Sequence, residues 1–79
     1  MDKEQQEHKR FLEQQLQWCE EQDRILEEIE NRLHKMKRLA EYSLEYELIS
    51  AEIEDLNGHM SELKQEVHYL QRQLQSVVH

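Results

Sequence analysis

Proline is absent from the 79 residues and glycine occurs once, at Gly58. No residue therefore breaks a helix by ring geometry, and only one carries the penalty of about 1 kcal/mol that glycine imposes on a helix interior. Cysteine is equally scarce. The single Cys19 excludes an internal disulfide, and no Cys/His spacing of zinc-site type accompanies it. A reduced thiol on a packing face is its expected state. Positive charge is in deficit, with ten Lys and Arg against 18 Asp and Glu and a net charge of −8. Such a balance repels phosphate and argues against direct nucleic-acid binding, where Lys and Arg gain affinity by displacing condensed counterions. No apolar run approaches the length of a membrane span, and the polar residues 1–8 hold no signal-peptide core. The expectation is a cytoplasmic chain without a membrane partner.

Catalytic signatures are missing too. There is no Gly-rich phosphate loop, no G-x-S-x-G, and neither H-E-x-x-H nor Glu-x-x-His among the five histidines His8, His34, His59, His68 and His79. A chain of helices alone lacks the walls to surround a small substrate. No catalytic, cofactor or metal residue is expected, and the chain reads as a non-enzyme.

What remains is helix. The heavy load of Glu, Gln, Leu, Lys and Arg matches long helices and coiled coils, and a chain this short buries too little surface to be comfortable alone. From Leu26 the apolar residues step by three and four through Ile29, Leu33, Met36 and Ala40. A cleaner run follows the same repeat through Ile49, Ile53, Leu56, Met60, Leu63, Val67, Leu70, Leu74 and Val77. The two runs differ in phase by one residue. A continuous coiled coil absorbs such a slip by local over- or underwinding. A turn makes it irrelevant.

Charge favours the turn. Folding back near residues 45–49 sets Arg32, Lys35, Lys37 and Arg38 beside Glu52, Glu54, Asp55 and Glu62. It also places acids in the first turns of a second helix, where the macrodipole favours them, with Ser50 as the expected N-cap. Asn57-Gly58 is the stronger breaker by residue type. Yet the apolar phase passes through it unbroken, so both are read as exposed helix positions. The fold expected is all-α: one domain with helices at about 3–44 and 50–78, a turn at about 45–49, and antiparallel packing of coiled-coil type, dimerising into a four-helix bundle. The alternative is a single continuous coiled-coil helix.

The M-x-x-L-A at Met36–Ala40 and the L-K-x-E-V at Leu63–Val67 resemble the helix-loop-helix near the amino-terminal core of bacterial flagellins. The resemblance covers about half the chain and implies a turn between the two motifs, nothing of function.

The first helix is apolar over more than one seam. With Leu12, Cys19, Leu26, Leu33 and Ala40 at heptad position a, Phe11, Trp18, Ile25 and Leu39 fall at g and Leu16 and Leu44 at e. Such breadth suits a helix with neighbours on two sides. The expected oligomer and partner interface is Phe11, Leu12, Leu16, Trp18, Cys19, Ile25, Leu26, Ile29, Leu33 and Met36. Residues Ile49, Ile53, Leu56, Met60, Leu63, Val67, Leu70 and Leu74 are the expected intramolecular seam. Gln15 and Gln22, both at d, are expected as polar residues within the core that fix its register. The function expected is a small regulator or adaptor that homodimerises and binds a protein partner by a helix face. Two other classes stay open: a structural oligomerisation rod, and an acidic mimic of nucleic acid that blocks a DNA-binding protein.

Overall fold

A computed structural model describes residues 2–77, with side chains through Leu74. The seam position Val77, the helix end expected at 78 and His79 fall outside the residues whose side chains are described. Two helices form, α1 over Lys3–Glu45 and α2 over Ser50–Val77, and no strand occurs among the described residues. They fold back on each other through residues 46–49, giving a body of 70 × 19 × 12 Å. The uninterrupted rod is not what the chain adopts.

Each helix end has a local cause. Asp2, extended at φ −80° and ψ 172°, caps α1 by accepting from the Gln5 N–H at 2.8 Å. At the other end Tyr46 turns extended, its N–H still donating to the Tyr42 carbonyl at 3.1 Å. The Tyr42 and Tyr46 rings close this last turn with centroids 4.7 Å apart. The second helix begins at Ser50, and its cap lies one residue before the one chosen from sequence. Ile49, not Ser50, is its N-cap: the Ile49 carbonyl accepts from the Ile53 N–H at 3.0 Å, and the Ile49 N–H donates to Glu52 Oε1 at 3.2 Å. That is the return half of a capping box, with glutamate three residues after the cap. No described residue has positive φ. The reversal therefore needs no glycine, which is why no glycine or proline marks it.

Gly58 lies inside α2, as the unbroken phase implied, and a Cβ built there meets nothing within 4 Å.

The interior is small. Ile25 and Ile29 of α1 and Val67 and Leu70 of α2 are buried together, with Met36 and Leu74 packed against them. Arg32 sits above this cluster, paired with Glu28 on its own helix and reaching Glu66 of α2 at 3.6 Å. Lys35 and Leu39 share a groove with His59, Glu62 and Leu63. Helix α2 is thus displaced along α1 by up to about one turn from the pairing of Leu33 with Ser61 that a symmetric turn implies. The displacement brings the two buried isoleucines level with Val67 and Leu70.

At 1.5 Å per residue α1 is about 64 Å long and α2 about 42 Å. The difference is an overhang. Every described residue from Asp2 to Glu21 is exposed, and the first buried one is Gln22.

Candidate interaction surface

Helix α1 presents two apolar stripes, and α2 covers one of them. The covered stripe runs through Gln22, Ile25, Ile29, Arg32, Met36, Leu39 and Ser43, heptad positions d and g, all buried or half-buried. The second runs along positions a and e through Leu12, Leu16, Cys19, Leu26, Leu33 and Leu44, all exposed. At about 100° of rotation per residue, the centres of the two stripes lie about 110° apart around the helix. A single partner helix cannot cover both.

The placement corrects the interface read from sequence. Ile25 and Ile29, expected on the outward surface, lie in the core; Ile25, at 2% exposure, is the most buried residue described. Met36 packs against the same cluster. The reason is their position at g and d, the side that α2 occupies. Phe11, Leu12, Leu16, Trp18, Cys19, Leu26 and Leu33 are exposed. On α2, Val67 and Leu70 are buried, Leu74 packs on the core, and Leu56, Met60 and Leu63 are half-buried. Ile49 and Ile53, expected in that seam, are exposed at 65% and 44%. They sit at the cap and first turn of α2, beside the chain reversal, where the periodicity continues but no side chain of α1 covers it.

Leu48 was not singled out by the sequence, and Leu44, placed at e, was left out of the expected interface. Leu48 in the connection is half-buried, and Leu44 at 88% is the most exposed large apolar side chain. Gln15 is exposed. Gln22 is buried, and its Nε2 finds no hydrogen-bond partner.

Charge lines the outer face of α1. Along the i,i+4 row Glu20, Arg24, Glu28 and Arg32, Arg24 turns to Glu21 at 2.6 Å, and Arg32 pairs with Glu28. The hydrogen bond from Arg24 holds the Glu21 carboxyl below its ordinary range, and Glu21 in turn raises the Arg24 guanidinium. Lys9 with Glu13 and Lys37 with Glu41 form looser i,i+4 pairs at 4.0 and 3.9 Å. His34 lies near Glu30 at 3.5 Å, while His59 lines the groove beside Lys35 and Leu39, so the helix pair does not bring these two histidines to one site.

Among the described residues no group of His, Cys, Asp and Glu is placed to hold a metal ion. No helix among them is long and apolar enough to cross a membrane. Open grooves run along the helix pair, one of them lined by Arg32, Glu62, Glu66, Tyr69 and Leu70. The a/e stripe of α1 carries Leu12, Leu16, Leu26, Leu33 and Leu44 exposed, and what it offers chemically is desolvation against another apolar face. Comparison with protein-family models, with curated proteins and with solved structures yields no match.

Proposed function

We propose that the chain is a small non-enzymatic interaction module, a cytoplasmic regulator or adaptor that homodimerises through coiled-coil seams and engages a protein partner by a helix face. One observation carries the reading: Leu12, Leu16, Leu26, Leu33 and Leu44 lie on one stripe of α1, each at least half exposed. Fully burying a leucine contributes about 1.5–3 kcal/mol, so each of these retains roughly 1 kcal/mol of unused burial. Two copies of the stripe together hold about 10 kcal/mol, within the range of about 4–15 kcal/mol that association costs in lost translational and rotational freedom. A weak to moderate dimer is the consequence.

Helix α2 offers no comparable second stripe. Flanking its seam are Glu52, His59, Glu66 and Gln73 on one side and Ser50, Asn57, Lys64 and Gln71 on the other. The dimer therefore forms through α1, with the α2 helices outside, and makes a four-helix bundle whose centre is the α1 pair. The overhang, with Phe11 and Trp18 exposed on it, supplies the partner-binding end, since tryptophan is enriched in binding hot spots.

Light scattering during size-exclusion chromatography, over a range of loading concentrations, tests the self-association. A mass approaching twice 9.8 kDa with increasing concentration is expected. A folded monomer at the highest concentration refutes it.

A further inference from the structure

Resting on the reading that the exposed stripe of α1 self-associates, we propose that its occupant is a second α1 laid antiparallel, with the two-fold axis passing near Glu28. The first support is phase. The stripe alternates steps of four and three residues, and reversing it about residue 28 drops every stripe position onto another: Leu12 faces the partner's Leu44, Leu16 the partner's Ala40, and Leu26 the partner's Glu30. Leu44, the most exposed large apolar side chain, is thereby covered by the overhang of the other copy.

The second support is charge, which chooses between the two directions. Three stripe positions are ionised: Asp23, Glu30 and Lys37. A parallel, in-register pair sets each against its own copy, aspartate on aspartate, glutamate on glutamate and lysine on lysine. Like charges so placed are destabilising and select against that arrangement. Reversal instead faces Asp23 with the partner's Leu33, Glu30 with the partner's Leu26 and Lys37 with the partner's Cys19, so that no ionised stripe position opposes its own copy directly, and it brings Asp23 within one turn of the partner's Lys37.

Thiol crosslinking of the full chain separates the arrangements. In the reversed pair Cys19 lies level with the partner's Lys37, about 27 Å along the axis from the partner's Cys19. A disulfide requires Cα atoms within about 7 Å. Under copper-phenanthroline oxidation the native chain is thus expected to stay uncrosslinked, as is Leu12→Cys in a Cys19→Ala background. The same background carrying both Leu12→Cys and Leu44→Cys is expected to run as a covalent dimer on a non-reducing gel and to revert on reduction. Within one chain those two positions are about 48 Å apart, so an internal bond does not compete. Helix content by circular dichroism checks that these exposed substitutions leave the fold in place. Crosslinking of the native chain, or of Leu12→Cys alone, overturns the antiparallel arrangement in favour of a parallel one. A dimer by light scattering in which the double variant fails to crosslink overturns the orientation and leaves self-association standing. A monomer by light scattering overturns both.

Discussion

Ile25 and Leu26 are adjacent in sequence and alike in size, yet the fold treats them oppositely. Ile25 is 2% exposed between the helices, and Leu26 is 51% exposed on the open stripe. Replacing each by alanine removes three carbons. For Ile25 those carbons are dry, so at about 0.8 kcal/mol per methylene the transfer loss is about 2.4 kcal/mol, and the cavity left behind brings the total into the range of about 2–5 kcal/mol. For Leu26 half of that surface is already wet and no closed cavity forms, so the loss within one hairpin is about 1 kcal/mol or less. A chain of this length has a total stability of about 4–12 kcal/mol. Ile25→Ala therefore removes a large share of it, whereas Leu26→Ala does not. In a domain of 60–100 residues each kcal/mol moves the midpoint by about 4–8 °C. Thermal melts followed by circular dichroism at micromolar and submicromolar concentration measure the contrast. The expected result has two parts. At the lowest concentration Ile25→Ala melts at least about 10 °C below the native chain and Leu26→Ala close to it; at higher concentration the native midpoint rises, and that rise is reduced in Leu26→Ala. Equal losses at the lowest concentration would refute the assignment of the two stripes.

Gly58 lies inside α2 with open space where a Cβ would go, so Gly58→Ala should raise stability by about 1 kcal/mol, read as a higher melting midpoint; a lower midpoint would mean that the chain bends there. Gln22 is buried with Nε2 unsatisfied, and leaving such a group dry costs about 1–3 kcal/mol. Gln22→Leu should accordingly stabilise the chain in chemical denaturation, and a loss of stability would show that Gln22 makes a bond essential to the register. Glu21 has its carboxyl held below the ordinary value of 4.5 by the hydrogen bond from Arg24. The stability it contributes is present above that value and is lost as pH falls through its lower folded value, so Glu21→Gln should flatten the acid limb of the stability profile below about pH 4.5. Because both side chains are about half exposed, the difference should be small and shrink in added salt.

The reversal near residue 47 was legible because two long apolar runs disagree in phase, a signal spread over many residues. Local residue type pointed elsewhere, to Asn57-Gly58, because the turn is made without any positive φ and so needs no glycine. The cap of α2 was placed one residue late for a related reason. Isoleucine is a poor N-cap by side chain, and at Ile49 the capping bond comes from Glu52 reaching back rather than from the cap residue reaching forward. Which side of α1 meets α2 was not legible at all. With apolar residues at a, d, e and g, the sequence supports either seam, and Ile25 and Leu26 differ only in a branch point. The register across the pair was likewise open, since it depends on how the connection at 46–49 offsets the helices along their axes.

The same ambiguity carries the functional argument. A helix needing one neighbour has no reason to be apolar on two stripes about 110° apart, and the narrow seam of α2 shows that this chain can confine its apolar residues when one neighbour suffices. The buried interior of a single hairpin holds four apolar residues, while the open stripe of α1 holds five half-exposed leucines. Closing that stripe against a copy of itself would therefore add to each hairpin a dry surface comparable to the one it already has. Stability and self-association are then one property, and a change at Leu26 or Leu33 acts on both only when a second copy is present.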